Sequence, residues 1–248
     1  MSSPEDPTGF LGQGQAIVDY VFPICNVETT GEGLRVTAFL GTGFFIGAHG
    51  FALTAKHVMR PATTPAILML DGDRTWRAFA VKEEDPHPSE DVTVLRIEAA
   101  TGWQWRSIFA LPGGWQGSGM SYFLFGYPES AMLELVENGM ALMRPDLIYS
   151  EGHIRRRLTD IPLPAISGAQ FFELSQVAGA GCSGSPVLDR ASLGRPAWHL
   201  AGIYVGERLD STSTSVGYAV RLDELRDWQP EILGRSLAAE ANHTSGDA

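Results

Sequence analysis

The chain of 248 residues carries 18 Lys and Arg against 29 Asp and Glu, a formal net charge of −11, which argues against a nucleic-acid binder because such domains present a basic face to phosphates. Hydrophobic residues make up 44% and charged residues 19%, so the chain is expected to fold around a sizeable core and not to be disordered. No apolar run approaches the roughly 18 residues of a membrane span, and the start, Met1-Ser2-Ser3-Pro4-Glu5-Asp6-Pro7, has neither the basic region nor the apolar stretch of a signal peptide; the expected address is cytoplasmic, without a membrane partner.

Glycine (28) and proline (15) divide the sequence into short segments of β-branched and aromatic residues, the pattern of an all-β sandwich or barrel. After an N-terminal extension at 1–14, read as flexible, the first strand is expected at Ala16 to Val27. Leu34 to Leu40 alternates, with Leu34, Val36, Ala38 and Leu40 on one face and Arg35, Thr37 and Phe39 on the other. Strands are predicted at Gly43–Ile46, Phe51–Thr54, Ala66–Leu70, Ala78–Val81 and Val92–Ile97, which places a first barrel at about 15–101. The Trp- and Gly-rich stretch at about 102–118 reads as a linker. A second barrel at about 119–221 is predicted to hold strands at Ser121–Phe125, Leu135–Leu142, Gln170–Leu174, Pro186–Leu188, Trp198–Val205 and Val216–Val220. Arg155-Arg156-Arg157 reads as a solvated loop. Leu222, Leu225 and Trp228 recur at helical spacing before Pro230, which predicts a C-terminal helix at about 222–233 and a flexible tail at 234–248.

Cys25 and Cys182 are the only cysteines, far apart and without metal-ligand spacing, so neither a disulfide framework nor a zinc site is indicated. The segment richest in chemistry is Gly179-Ala180-Gly181-Cys182-Ser183-Gly184-Ser185-Pro186. Glycines on both sides let the backbone turn sharply, present a serine and aim N–H groups at a common point. Alone, these letters also describe an ordinary Gly-Ser loop. A serine needs a base, usually a histidine held by a carboxylate. Among six histidines, His49, His87, His153 and His243 stand in expected turns and His199 in a strand, whereas His57 ends the apolar run Phe51 to Val58 at a tight turn. Asp91 opens the strand Val92–Ile97, where an Asp also serves as an ordinary strand-end cap.

Together these segments resemble the chymotrypsin-like serine peptidases, and more closely their bacterial trypsin-like branch. TAKHV at Thr54–Val58, DVTVLRI at Asp91–Ile97 and GCSGSP at Gly181–Pro186 are similar to the family's histidine, aspartate and serine motifs, in the family's order. GTGFFIG at Gly41–Gly47, FGYP at Phe125–Pro128, LAGIYVG and VGYAVRLDEL extend the likeness from about Ala16 to Trp228. The resemblance implies an all-β fold of two six-stranded antiparallel barrels over 15–233, a serine endopeptidase with His57, Asp91 and Ser183 as triad, and Gly181 and Ser183 N–H groups as oxyanion hole. It implies protein or peptide substrates and no metal or organic cofactor. Where trypsin-type enzymes have the aspartate that receives a freed N-terminus, this chain has Cys182, so activity is expected not to depend on N-terminal cleavage. A cysteine nucleophile is out of register, since Ser183 is the residue followed by Gly-Ser-Pro.

By the same resemblance the primary pocket has Val177 at its floor and Tyr204, Val205, Gly206, Glu207 and Gly217 along its walls. An apolar floor without a carboxylate favours a small or medium apolar residue on the acyl side of the scissile bond. Glutamate-specific bacterial relatives have a histidine where this chain has Tyr204. The other readings are a catalytically idle peptidase fold serving as a binding module, and an esterase or a hydrolase dedicated to one partner protein.

Overall fold

A computed structural model describes residues 17–31, 33–71, 75–131, 133–137, 140–209 and 215–243. The expected N-terminal extension lies outside them, apart from its junction with a single 3-10 turn at Ile17–Asp19. Two closed barrels follow. The first is built from β1 (Val21–Thr30), β2 (Gly33–Ile46), β3 (Phe51–Thr54), β4 (Pro65–Leu70), β5 (Trp76–Pro86) and β6 (Thr93–Ile97), ordered β1-β2-β3-β6-β5-β4. A single helical turn, α1 (Lys56–Met59), follows β3. Every residue of Phe51–Thr54 is buried, as expected for a short apolar run bounded by turns. The expected strands Leu34–Leu40 and Gly43–Ile46 are one continuous strand. Its alternation does not translate into burial, and Val36 stays 40% exposed. Beyond Val27 this end of β2 pairs only with β1, because β4 meets β1 at Ile24–Asn26 alone, so the hairpin arm projects past the barrel.

The stretch read as a linker packs closely. Trp105 stacks on Phe45 with centroids 5.1 Å apart and donates its indole N–H to Glu98 O at 2.9 Å, and Trp103 lies edge-on to Phe79. It then contributes β7 (Phe109–Ala110), which runs parallel to a strand of the second barrel. That barrel comprises β8 (Ser121–Gly126), β11 (Ile148–Leu158), β12 (Phe171–Leu174), β13 (Pro186–Asp189), β14 (Trp198–Leu209) and β15 (Ser215–Arg221), closed by pairing of β13 with both β8 and β14. Between β8 and β11 stands a two-stranded arm, β9 (Leu133–Glu137) and β10 (Met140–Arg144); the run read as one strand is a hairpin. Tyr122, Leu124, Phe172, Leu174, Val187 and Tyr204 pack together as one buried cluster in this barrel.

Two expectations are corrected here. The triple arginine is not a loop but the last turn-free stretch of β11, where His153 also lies. Its charges are matched by acids distant in sequence: Arg155 and Arg156 flank the buried Glu173, and Arg157 meets Asp223 at 2.5 Å and Glu224 at 2.9 Å. Beside them Arg221 is fully buried and satisfied by Asp223, Glu224, Leu158 O and Thr159 Oγ1. The short C-terminal helix exists, but as α2 (Leu237–Ala241), capped by Ser236. Residues 222–234 form successive turns, with Leu222 and Leu225 buried. The end of the chain through 243 is fastened down, as Leu237 is fully buried and Asn242 exchanges two hydrogen bonds with the Leu111 backbone.

Candidate active site

Register brings the first two residues together. In the antiparallel pair β3–β6, Thr54 faces Thr93, so the chain leaving β3 into α1 and the chain entering β6 lie side by side. His57 stands on α1, and Asp91 is two residues ahead of β6. The buried Asp91 carboxylate accepts twice from one residue: Oδ1 from the His57 backbone N–H at 2.9 Å and Oδ2 from His57 Nδ1 at 2.7 Å. An ionised carboxylate only accepts, so this contact calls for the ring proton on Nδ1, the tautomer of a neutral imidazole whose Nε2 carries the lone pair on the opposite edge.

Ser183 comes from the second barrel, in the turn before β13. A Cβ placed on Gly41 would lie 2.8 Å from Val58 Cγ2 and 2.9 Å from Ser183 O. The serine turn and the residue after His57 therefore pack on the same bare glycine. Among the described residues no hydrogen bond joins Ser183 Oγ to the His57 ring.

The turn itself is held through its carbonyls. Ala180 O accepts from Glu129 N–H at 2.8 Å, Gly181 O from Thr42 Oγ1 at 3.0 Å, Cys182 O from Ser185 N–H at 3.0 Å and Ser183 O from Thr42 N–H at 2.8 Å. In a planar trans peptide the N–H points opposite to the preceding carbonyl. With Ala180 O and Cys182 O fixed, the Gly181 and Ser183 N–H groups are turned the other way, and neither has an acceptor among the described residues. Gly181 (φ +91°) and Gly184 (φ +94°) occupy backbone space that L side chains disfavour, and a Cβ on Gly184 would come within 1.9 Å of Thr42 O.

Residues 41–195 match the model of the trypsin-like peptidase domain. The chain belongs to that family. The MamO protease domain from Magnetospirillum magneticum, in its apo form, superposes with a TM-score of 0.56 at 15% identity, over 84% of this chain and 94% of that one. The Rv3671c protease, in an inactive form, superposes with a TM-score of 0.52 at 18% identity, over 82% of this chain and 84% of that one. At these identities the likeness is one of fold. No curated protein matches the chain. Membership of the trypsin-like peptidases points to a protein or peptide substrate. Among the described residues no helix is long and apolar enough to cross a membrane, and no group of three or more His, Cys, Asp or Glu is arranged to hold a metal ion.

The residues that the trypsin-like pattern assigns to the primary pocket converge from three segments. Val177 is half-buried, Val205 is buried, Gly206 (φ +141°) sits at a bulge in β14, and Glu207 is exposed. Tyr204 is 1% exposed and reaches across from β14, its hydroxyl accepting from Ala178 N–H at 3.1 Å. Burial pushes its hydroxyl pKa well above the usual phenol range. On β15, a Cβ at Gly217 would lie 3.0 Å from Tyr204 Cε2 and 2.6 Å from Gln176 O. The tyrosine ring thus packs between the Ala178 and Gly217 segments, within the buried cluster of the second barrel.

Cys182 is fully buried and donates its Sγ–H to Ala178 O at 3.2 Å; burial, with the charge of Glu207 adding to it, pushes its thiol pKa up to about 12. A thiol in that state is no nucleophile at neutral pH. Two contributors escaped the sequence reading. Glu90, buried beside Asp91, accepts from Ala169 N–H and Gln170 N–H and ties the second barrel to the aspartate segment. Thr42 is the other, and only its place in the GTGFFIG segment marked it.

Proposed function

We propose that this chain is a serine endopeptidase working through His57, Asp91 and Ser183. The observation that carries the reading is the double acceptance by Asp91, which orients the imidazole and fixes the tautomer whose Nε2 can take a proton. Ser183 Oγ would attack the scissile carbonyl as Nε2 accepts its proton. Asp91 would stabilise the imidazolium, and the Gly181 and Ser183 N–H groups would receive the oxyanion, each donor worth about 3–4 kcal/mol in comparable sites. The imidazolium then returns the proton to the leaving amine, and water resolves the acyl-enzyme through the same groups.

We take Tyr204 to bear on specificity: if these segments form the primary pocket, a ring between Ala178 and Gly217 would favour a small acyl-side residue, glycine or alanine before valine or leucine, and Val177 would give a basic side chain no counter-charge. Profiling cleavage of a peptide library by the wild type and by Ser183→Ala tests both parts. The expected outcome is cutting after small residues by the wild type alone. Predominant cutting after Lys or Arg would refute the pocket reading, and identical cutting by both proteins would refute the triad.

A further inference from the structure

We propose that Thr42, on the first barrel, is a positioning residue for the Ser183 turn: its hydroxyl holds the peptide groups that aim the two oxyanion N–H donors. The proposal rests on the peptidase reading above for its catalytic consequence, and on geometry for the rest. Thr42 is fully buried, and each of its polar groups is engaged. Its N–H donates to Ser183 O at 2.8 Å, and its carbonyl accepts from Thr54 Oγ1 at 2.7 Å. Its hydroxyl donates to Gly181 O and accepts from Tyr127 N–H, both at 3.0 Å. The backbone contact needs no particular side chain and is open to every residue but proline, so what the threonine adds is the hydroxyl bridge.

That bridge reaches the donors by two routes. Directly, it fixes the peptide between Gly181 and Cys182. Indirectly, it holds Tyr127, two residues before Glu129, whose N–H fixes Ala180 O. A Cβ on Gly181 would lie 2.8 Å from both Tyr127 O and Glu129 N, so the loop after β8 is the bed on which the turn rests. Without the hydroxyl, Tyr127 N–H and Gly181 O are both left buried or half-buried without this partner, and the 180–181 peptide loses the anchored neighbour that resists its rotation. Rotation would swing Gly181 N–H out of the hole. Substrate contacts made by the pocket would be unaffected, so the loss should fall on the chemical step and not on binding.

The test uses the full chain with a fluorophosphonate, whose phosphoryl oxygen needs the same donors, together with amide hydrogen exchange. Thr42→Val keeps the shape and loses the hydroxyl. Its maximal labelling rate is expected to fall about 10- to 100-fold, below the full loss of a donor, with half-saturation within about twofold; Thr42→Ser should stay within about threefold of wild type. Amide exchange over 123–129 and 179–185 should quicken in the valine variant and not in the serine variant. Equal labelling by wild type and Thr42→Val would overturn the proposal. If the valine variant does not fold, Thr42→Ser and Thr42→Ala lack the same methyl and differ by the oxygen; at least tenfold slower labelling of the alanine variant supports the bridge, and equal rates overturn it. Absence of labelling in the folded wild type would instead strike the peptidase reading, and exchange at Tyr127 would then decide alone whether the hydroxyl holds the turn, unchanged exchange overturning it.

Discussion

Replacing Asp91 by Asn changes one atom's bonding capacity and leaves the shape of the site. Both carboxylate oxygens accept from His57, one from the backbone N–H and one from Nδ1. Asn offers one acceptor and one donor group. The backbone N–H cannot change its role, so the amide oxygen is claimed by His57 N, and the NH2 group then faces Nδ1. Two donors cannot share that 2.7 Å contact. The ring proton is therefore driven to Nε2, the atom that accepts from Ser183 in the proposed mechanism. The proposed base would be removed while the fold keeps its hydrogen bond to the main chain. Loss of the correct tautomer costs about 10³–10⁴ in kcat in sites of this design, or about 4–5.5 kcal/mol of transition-state stabilisation. Fluorophosphonate labelling at neutral pH, with circular dichroism as the folding control, reads the effect. A folded Asp91→Asn protein labelled within tenfold of wild type would refute the reasoning.

Three further outcomes are expected. Gly184→Ala forces a Cβ to within 1.9 Å of Thr42 O at φ +94°, so backbone strain and overpacking together should lower unfolding stability by about 2–5 kcal/mol; an unfolding free energy from urea titration within about 0.5 kcal/mol of wild type would contradict the clash. Cys182, with its thiol pushed up to about 12 by burial, should resist iodoacetamide in the native protein at pH 8, and Cys182→Ala should retain Ser183 labelling; loss of labelling in a folded variant would make the sulfur part of the chemistry. His87 accepts from Glu90 N–H at 2.9 Å through Nδ1, and burial holds its pKa below the usual 6.5, with Lys56 adding to the effect and Glu90 opposing it. A lowered folded pKa means that the unfolded chain binds the proton first, so this stabilisation is complete above about pH 6.5 and is lost as pH falls through the folded value. The fall in thermal midpoint between pH 7 and pH 5 should be smaller in His87→Gln, and an unchanged slope would exclude His87 as its source.

The sequence was most legible where local rules and long-range structure agree. Phe51–Thr54 was bounded correctly because a short apolar run between turns has few alternatives, and the motifs around His57, Asp91 and Ser183 stand at strand ends whose register the strands themselves impose. It was least legible where partners are distant. Arg155 to Arg157 read as a solvated loop because nothing near them in sequence neutralises them, whereas Glu173, Asp223 and Glu224 do so in the fold. The helix expected at 222–233 drew on Leu222, Leu225 and Trp228, whose spacing also suits successive turns with the leucines facing inward. Leu135 to Leu142 concealed a hairpin, its apolar letters suiting either arm. No local pattern foretells that the Tyr204 hydroxyl accepts from Ala178 N–H, 26 residues away in sequence. Thr42 illustrates the same limit: its hydroxyl acts across 139 residues of sequence.

The central claim is that Ser183 is an activated nucleophile, and mapping the adduct tests it most directly. Native protein treated with a fluorophosphonate at neutral pH, digested and analysed by mass spectrometry should carry a single phosphonyl group on Ser183, with none on Ser183→Ala. Folded native protein that stays unlabelled, or that carries its adduct on another residue, would contradict the account.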